Sequence, residues 1–432
     1  MLIASSYFYM VFIPWYILIL LFVIAVDYFA AIGIEKAHGK KRKWLLIVSL
    51  TANIGILVVF KYYNFLTDNL TALFHSLGIG YSIPYLSLLL PIGLSFHTFQ
   101  AMAYTIEVYR GNQKAERHIG IYALYVLFYP QLVAGPIERP QNLIPQLYQE
   151  HNFDHEQFKS GLLKMAWGFF KKVVIADRLS LVVDNAYNNA GMQNSTTLLI
   201  ATLFFSFQIY CDFSGYSDIA IGAARVMGIR LMENFRTPYF SKSITEFWQR
   251  WHISLSSWFR DYVYIPLGGN RVSASRWWFN IIFVFIISGL WHGAKWTFIV
   301  WGLFHGFCVL MESIKNKWMP ELKFNKYIQA GLTFLLVSFG WIFFRSNNLT
   351  DAKGIIGSLF SFAKYQIPQF PINHAEVIFS CLLIGILMAK EKWNIQLTTK
   401  RDALFYPCFI TLVLSCYLFG IFNYKQFIYF QF

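Results

Sequence analysis

Apolar runs long enough to cross a bilayer recur along this chain from one end to the other. Their pattern predicts membrane elements near residues 3–13, 15–34, 44–61, 85–109, 119–135 and 196–228. Further elements are expected near 277–293, 296–314, 328–345, 376–390 and 404–422. The first is too short to cross alone and is expected to pair with the second around Pro14. The reading is an all-α integral membrane protein, with about 10–11 membrane elements, some of them re-entrant or broken. No internal repeat of fixed period and no low-complexity linker divides it, so a single membrane domain over residues 1–432 is expected.

Some segments break the simple pattern. Pro91, Gly93 and His97 interrupt LPIGLSFHTFQAMAY, and Pro130, Gly135 and Pro136 interrupt FYPQLVAGPIERP. Backbone breaks at membrane depth survive only where protein or a water-filled cavity satisfies the freed groups. GLLKMAWGFFKKVVIADRL, residues 161–179, has helical apolar spacing with lysines on another face, and predicts an interfacial amphipathic helix.

The densest polar and aromatic stretch is FWQRWHISLSSWFRDYVYIPLGGNR, residues 247–271. Trp248, Trp251, Leu255, Trp258 and Tyr262 draw one apolar stripe along a helix. Ser243 and Glu246 form a capping box at its start, and Pro266 with Gly268 and Gly269 ends it. Arg250, His252, Arg260 and Asp261 fall off that stripe. The expectation is a half-buried helix turning its polar side to a cavity, followed by a glycine turn bearing Asn270 and Arg271.

Composition narrows the class. Only 13% of the 432 residues are charged, about half the share of soluble domains, while 56% are hydrophobic. The net charge of +14 gathers in loops such as EKAHGKKRKW, residues 35–44, which fits retention on the cytoplasmic side. Nucleic-acid binding is not expected, because no basic, aromatic-studded soluble domain is present. The five cysteines (Cys211, Cys308, Cys381, Cys408 and Cys416) make no CxxC or Cys/His metal spacing and are expected to be small buried hydrophobes. No metal site is expected. No secretory signal with a small-residue cleavage site is evident at the start.

Candidate chemistry centres on FIISGLWHGAKWTFIVWGLFHG, residues 285–306. His292 stands in an apolar run between Gly289 and Gly293, with Trp291 and Trp296 near it. An ionisable group inside a membrane is a functional candidate by default. The glycines leave room for a ligand or for another backbone. A neutral imidazole there can take a proton from a hydroxyl, as acyl transfer to an alcohol requires; the alternative is a structural histidine hydrogen-bonded between helices. His305 would lie roughly 20 Å along one continuous helix, so the two share a small site only if the segment breaks. His305 is therefore expected to support packing.

Other chemistries fit less well. There is no GxSxG elbow, Walker loop or HExxH. A GG turn with Asn270 and Arg271 is a weak phosphate signal. Asp212 and Asp218, in YCDFSGYSDIAIG, are read either as interhelical polar contacts or as a proton path of a transporter.

Together, FWQRWHISLSSWFRDYVYIPLGGNR and GLWHGAKWTFIVWGLFHG strongly resemble the membrane-bound O-acyltransferase (MBOAT) family. The match looks closest to its branch of alginate O-acetyltransferases and related bacterial polysaccharide or peptidoglycan O-acetyltransferases. PIGLSFHTFQAMAYTIEVYRG, YPQLVAGPIERP, QIYCDFSGYSDIAIG and the terminal FIYFQF extend the resemblance over nearly the whole chain. It implies an MBOAT-like multi-helix bundle around a central tunnel, with the acyl donor entering from the cytoplasmic side. It also implies that His292 matches the family's invariant histidine and His252 the second polar position, in the RWH motif. Trp248, Arg250, Trp251, Arg260, Asp261, Asn270, Trp291, Trp296 and His305 are expected to line the tunnel or contact substrate. Arg260 and Asp261 are expected to form an ion-paired lock, since buried charges need partners. The D-alanyl transferases of teichoic acids share RWH and WFRDY but usually lack the PLGGNR continuation. Members of the acetyltransferase branch usually carry a further apolar helix ahead of the segment with which this chain begins.

The implied activity is transfer of an acyl group, in first place acetyl from acetyl-CoA with no tightly bound cofactor, with His292 as general base and His252 assisting. An extracytoplasmic acetyltransferase partner with a serine–histidine–aspartate site would pass it to a polysaccharide or peptidoglycan. The expected location is the bacterial cytoplasmic (inner) membrane, in contact with membrane lipid. D-alanyl transfer, a transporter and a structural anchor of an export complex are the rivals.

Overall fold

The computed structural model describes residues 1–319, 324–361, 364–395, 401–422 and 427, so residues 428–432 of the terminal FIYFQF lie outside the described residues. Among the described residues there are helices, turns and loops and no strand. The chain packs as two compact units, Met1–Phe153 with Met227–Met232, and Asp154–Val226 with Glu233–Phe432.

In the first unit, α1 (Leu2–Met10) leads through a 3-10 turn at Pro14–Tyr16 into α2 (Ile17–Lys36). The proline fixes φ and lacks an N–H, so the two apolar runs stay separate helices. α3 (Gly39–Leu57) continues through a π turn into α4 (Tyr63–Ser76). Buried Asp27 of α2 ties the α2–α3 hairpin, accepting hydrogen bonds from Ser49 Oγ at 2.6 Å and Asn53 Nδ2 at 2.9 Å. α5 (Leu94–Arg110) starts later than the apolar run near 85–109 suggests. Pro91 cannot donate, and Gly93 takes the left-handed conformation at φ 70°, where a Cβ would strike the Leu132 carbonyl. α6 (Ile119–Leu127), the single-turn α7 (Tyr129–Leu132) and α8 (Pro140–Leu147) complete the unit.

The second unit begins with α9 (His155–Phe169), a π segment at Phe170–Ala176, and α10 (Asp177–Asn188). The interfacial-helix expectation for residues 161–179 is corrected here. Gly161 and Gly168 of α9 meet Gly222 and Gly215 of α11 (Ser195–Val226), so closely that a Cβ on Gly168 would sit 2.6 Å from the Gly215 carbonyl oxygen. Small residues let the two backbones touch. The lysines expected on an outer polar face turn to α11 instead. Lys164 and Lys171 reach Asp218 at 2.9 and 2.7 Å, and Lys172 reaches Asp212 at 2.6 Å. Burying these charges is tolerable because they are paired, and both aspartates are thereby interhelical polar contacts.

The rest of the unit consists of α12 (Ile244–Arg250), α13 (Ile253–Phe259), α14 (Ala274–His292), α15 (Trp296–Trp318), α16 (Lys326–Arg345), α17 (Leu349–Leu359), α18 (His374–Lys392) and α19 (Asp402–Phe419). Among the described residues, seven helical stretches are long and apolar enough to cross a membrane, including Pro14–Lys36, Ser195–Val226 and Trp296–Trp318. The other expected elements are shorter, like α1 and α6, or end in charges, like α18. Of the cysteines only Cys211 is buried and Cys381 is exposed. The buried-hydrophobe expectation thus fails for Cys381.

Candidate active site

The expected continuous helix over residues 243–262 is two helices. The capping box is present: Ser243 Oγ accepts from the Glu246 N–H at 3.1 Å, and Glu246 reaches back to the Lys242 N–H at 2.7 Å. α12 nevertheless stops at Arg250. Trp251 is extended and His252 is left-handed, at φ 44° and ψ 54°, before α13 begins. Such a conformation costs a non-glycine residue roughly 1–2 kcal/mol, and contacts from the upstream segment hold it. The Ile253 N–H donates to the Asn234 carbonyl at 2.9 Å, and the Arg236 N–H to the Arg250 carbonyl at 2.9 Å. Asn234 Oδ1 also lies 3.1 Å from His252 Nδ1.

His292 is the last residue of α14. The chain turns at Gly293–Lys295 and returns as α15. Three glycines set how closely these helices pack. A Cβ on Gly289 would strike the Phe298 carbonyl, one on Gly302 the Phe285 carbonyl, and one on Gly293 the Phe298 ring. The room beside His292 is therefore filled by a second backbone rather than left to a ligand. The turn also sets His292 and His305 against one indole, Trp301, which a single straight helix would forbid.

Three buried histidines and two tryptophans then alternate in space. The Trp291 ring lies 5.9 Å from His252 and 4.9 Å from His292 between centroids. The Trp301 ring lies 5.0 Å from His292 and 5.1 Å from His305. All these contacts are edge-to-face or steeply tilted, the favoured aromatic geometry. Trp248 closes the far end, 5.1 Å from His305. Trp251 is wedged among Phe235, Phe247 and Trp341 at 5.1–5.4 Å. Both ring nitrogens of His305, and the indole N–H groups of Trp248, Trp301 and Trp341, are buried with no hydrogen-bond partner among the described residues.

The other expected site residues are distributed differently. Arg250 pairs with Glu246 at 2.5 Å. Arg260 pairs with Asp261 at 2.8 Å, but its side chain is 63% exposed, so the lock is a surface pair rather than a buried one. Such pairs contribute about 0–1 kcal/mol. Trp296 is 52% exposed at the start of α15. Asn270 sits on the glycine turn and, with Trp248 and Arg260, lines an apolar cavity of about 790 Å³ between α12–α13 and α14–α15. A second cavity, about 1060 Å³, is polar. Lys164, Lys171, Arg225, Arg236, Arg250 and Lys390 line it against the carboxylates Asp218, Glu233, Glu246 and Glu391, a formal excess of two positive charges (six less four). Asn234 belongs to its wall as well as to His252.

Trp301, Trp341, Phe344 and Asn234 escaped the sequence reading. Trp301 stands one helical turn before His305, a spacing that places both on one face. Asn234 left no local signal, because its contact with His252 depends on chain reversal.

This is the architecture of a polytopic helical membrane protein that encloses three histidines among aromatic rings. Residues 118–350 match the MBOAT, membrane-bound O-acyltransferase, family. The chain is 40% identical over 340 residues to the probable alginate O-acetylase AlgI of Pseudomonas putida, covering 78% of this chain and 68% of that protein. It is 36% identical over 388 residues to the peptidoglycan O-acetyltransferase of Helicobacter pylori, covering 82% and 72% respectively. It is 28% identical over 279 residues to the teichoic acid D-alanyltransferase of Bacillus subtilis, covering 59% and 68%. The chain belongs to the membrane-bound O-acyltransferase family and is a multi-pass membrane O-acyltransferase.

Proposed function

We propose that this chain takes acetyl from acetyl-CoA on the cytoplasmic side of a bacterial inner membrane and delivers it toward hydroxyls of an extracytoplasmic polysaccharide or cell-wall glycan. The observation that carries this reading is the run from the basic cavity through Asn234 and His252 to Trp291 and His292. The lysines and arginines of the cavity suit the phosphates of coenzyme A. The enclosed histidines suit proton transfer in a site from which water is kept.

In the chemical step, His292 takes the proton of the attacking hydroxyl as its oxygen bonds to the acetyl carbonyl carbon. The carbon–sulfur bond breaks, and the coenzyme A thiolate leaves and is protonated. His252 assists by orienting the reacting groups or stabilising charge. A separate extracytoplasmic acetyltransferase with a serine–histidine–aspartate site carries acetyl to the polymer. The identities of 40% and 36% to acetylating relatives, against 28% to the D-alanyl one, favour acetyl as the group.

The test is purified protein with radiolabelled acetyl-CoA, together with mass analysis of surface glycans with and without the gene. Turnover of label and loss of glycan acetyl groups are expected. Solute flux with no acetyl chemistry would make the chain a transporter, and loss of D-alanine esters with acetyl groups intact would move it to the D-alanyl branch.

A further inference from the structure

Asn234 joins His252 to the polar cavity through four contacts. Its Oδ1 lies 3.1 Å from His252 Nδ1, 2.9 Å from Ser254 Oγ and 3.3 Å from the Ser254 backbone nitrogen, while its Nδ2 lies 3.2 Å from Ser217 Oγ. All four residues are at least 98% buried. A backbone N–H can only donate, so the Asn234 atom facing Ser254 must be the carbonyl oxygen. That oxygen is also the neighbour of His252 Nδ1. Two acceptor lone pairs do not approach to hydrogen-bond distance, so Nδ1 must carry the proton. In a neutral imidazole the lone pair is then on Nε2.

We propose that Asn234 is a positioning residue of the acyl-transfer site: its side-chain oxygen fixes His252 as the Nδ1–H tautomer and leaves Nε2 as the basic nitrogen. The same oxygen serves the second N–H of α13, which the left-handed His252 does not cap with its own side chain. One amide thus holds both the helix start and the ring. The tautomer is tied to the break in the helix, because straightening residues 250–254 would carry His252 away from Asn234. The positioning role rests on the acyl-transfer reading; the tautomer assignment does not.

The experiment is ¹⁵N NMR of the full-length protein labelled at histidine in lipid nanodiscs, with His252 assigned by difference against His252→Gln. Acetyl-CoA turnover is measured on the same samples. In the wild type, His252 should show a protonated Nδ1 and an unprotonated Nε2. Asn234→Leu keeps the volume but removes the acceptor. It should redistribute the proton and lower kcat by on the order of 10²-fold, the low end of a general acid–base contribution, with the KM for acetyl-CoA little changed. Asn234→Asp retains an acceptor oxygen and should rescue both the tautomer and most of kcat. Ser217→Ala, which removes only the cavity-side partner, should leave the tautomer unchanged. An Nε2–H tautomer in the wild type overturns the assignment, whatever the variants do. An Asn234→Leu protein with wild-type tautomer and turnover overturns the positioning role. A wild-type protein with the stated tautomer but no acetyl-CoA turnover refutes the acyl-transfer reading, and the positioning role with it, but not the assignment.

Discussion

His292 and His305 stand on different helices yet both pack edge-on against the indole of Trp301, at 5.0 and 5.1 Å between ring centroids. Both are enclosed, but their chemistry differs by position. His292 ends α14 at a turn, whereas His305 lies mid-helix, with both nitrogens buried and without a partner among the described residues.

That difference gives a paired prediction. His292→Gln keeps polarity but cannot act as a base near neutrality, and should lower acetyl transfer by about 10²–10⁴-fold at unchanged protein level. His305→Phe replaces a buried polar ring whose desolvation costs about 1–3 kcal/mol by an apolar one of similar shape. It should leave the thermal midpoint in detergent unchanged or raised, with activity within a few-fold. A folded His305→Phe protein without activity would move His305 into the chemistry.

The glycines of the α14–α15 hairpin should be intolerant. Gly289→Ala drives a methyl group into the Phe298 carbonyl and should cost about 1–3 kcal/mol, read as a lower thermal midpoint, with activity falling as His292 shifts. Gly331→Ala, on α16 with nothing within 4 Å of the added Cβ, should be neutral or stabilising by about 0.5–1 kcal/mol. Equal effects at the two positions would contradict this account of the hairpin.

Asp218→Asn strands two lysines against α11. Removing one partner of a buried pair typically costs about 3–5 kcal/mol, so the variant should be poorly recovered from membranes. Adding Lys171→Met should restore part of the yield. Normal yield of the single variant would show that these charges are not paired in the folded protein.

Asp261→Asn should change stability by less than about 1 kcal/mol, because its arginine partner is largely exposed. A marked drop in yield or thermal midpoint would restore the buried-lock reading.

Arg236→Glu inverts a charge in the wall of the polar cavity without touching the histidines. The KM for acetyl-CoA should rise several-fold, more at low salt than at high salt, with kcat little changed. An unaltered KM would place the donor elsewhere.

Much of the fold was legible without coordinates, since hydropathy is a local property. Runs such as 15–34 and 296–314 fall within helices long enough to span, and Pro14, Pro91 and Gly93 break the chain where their backbone chemistry requires it. The family was legible too, because the RWH, PLGGNR and WHG motifs are local strings. Where the reading failed, distance along the chain was the reason. The stripe from Trp248 to Tyr262 fits one helix by spacing, and Ser243 caps it as expected. The break at His252 is held by Asn234, far upstream, which periodicity cannot register.

The sequence by itself determined that this protein is a multi-pass membrane protein and where most of its long apolar helices lie, and it singled out His292 and His252 as candidates for its chemistry. Tertiary structure alone decided which groups meet. Glycine-mediated backbone contact folds α15 back onto α14 and carries Trp301, with His305 one turn further along the same helix, to His292. Glycine contact along α9 and α11 turns a lysine-rich face inward to two aspartates. The physical reason is the same in each case: a side chain's partners depend on how closely two backbones approach, and that distance is set jointly by residues on different helices.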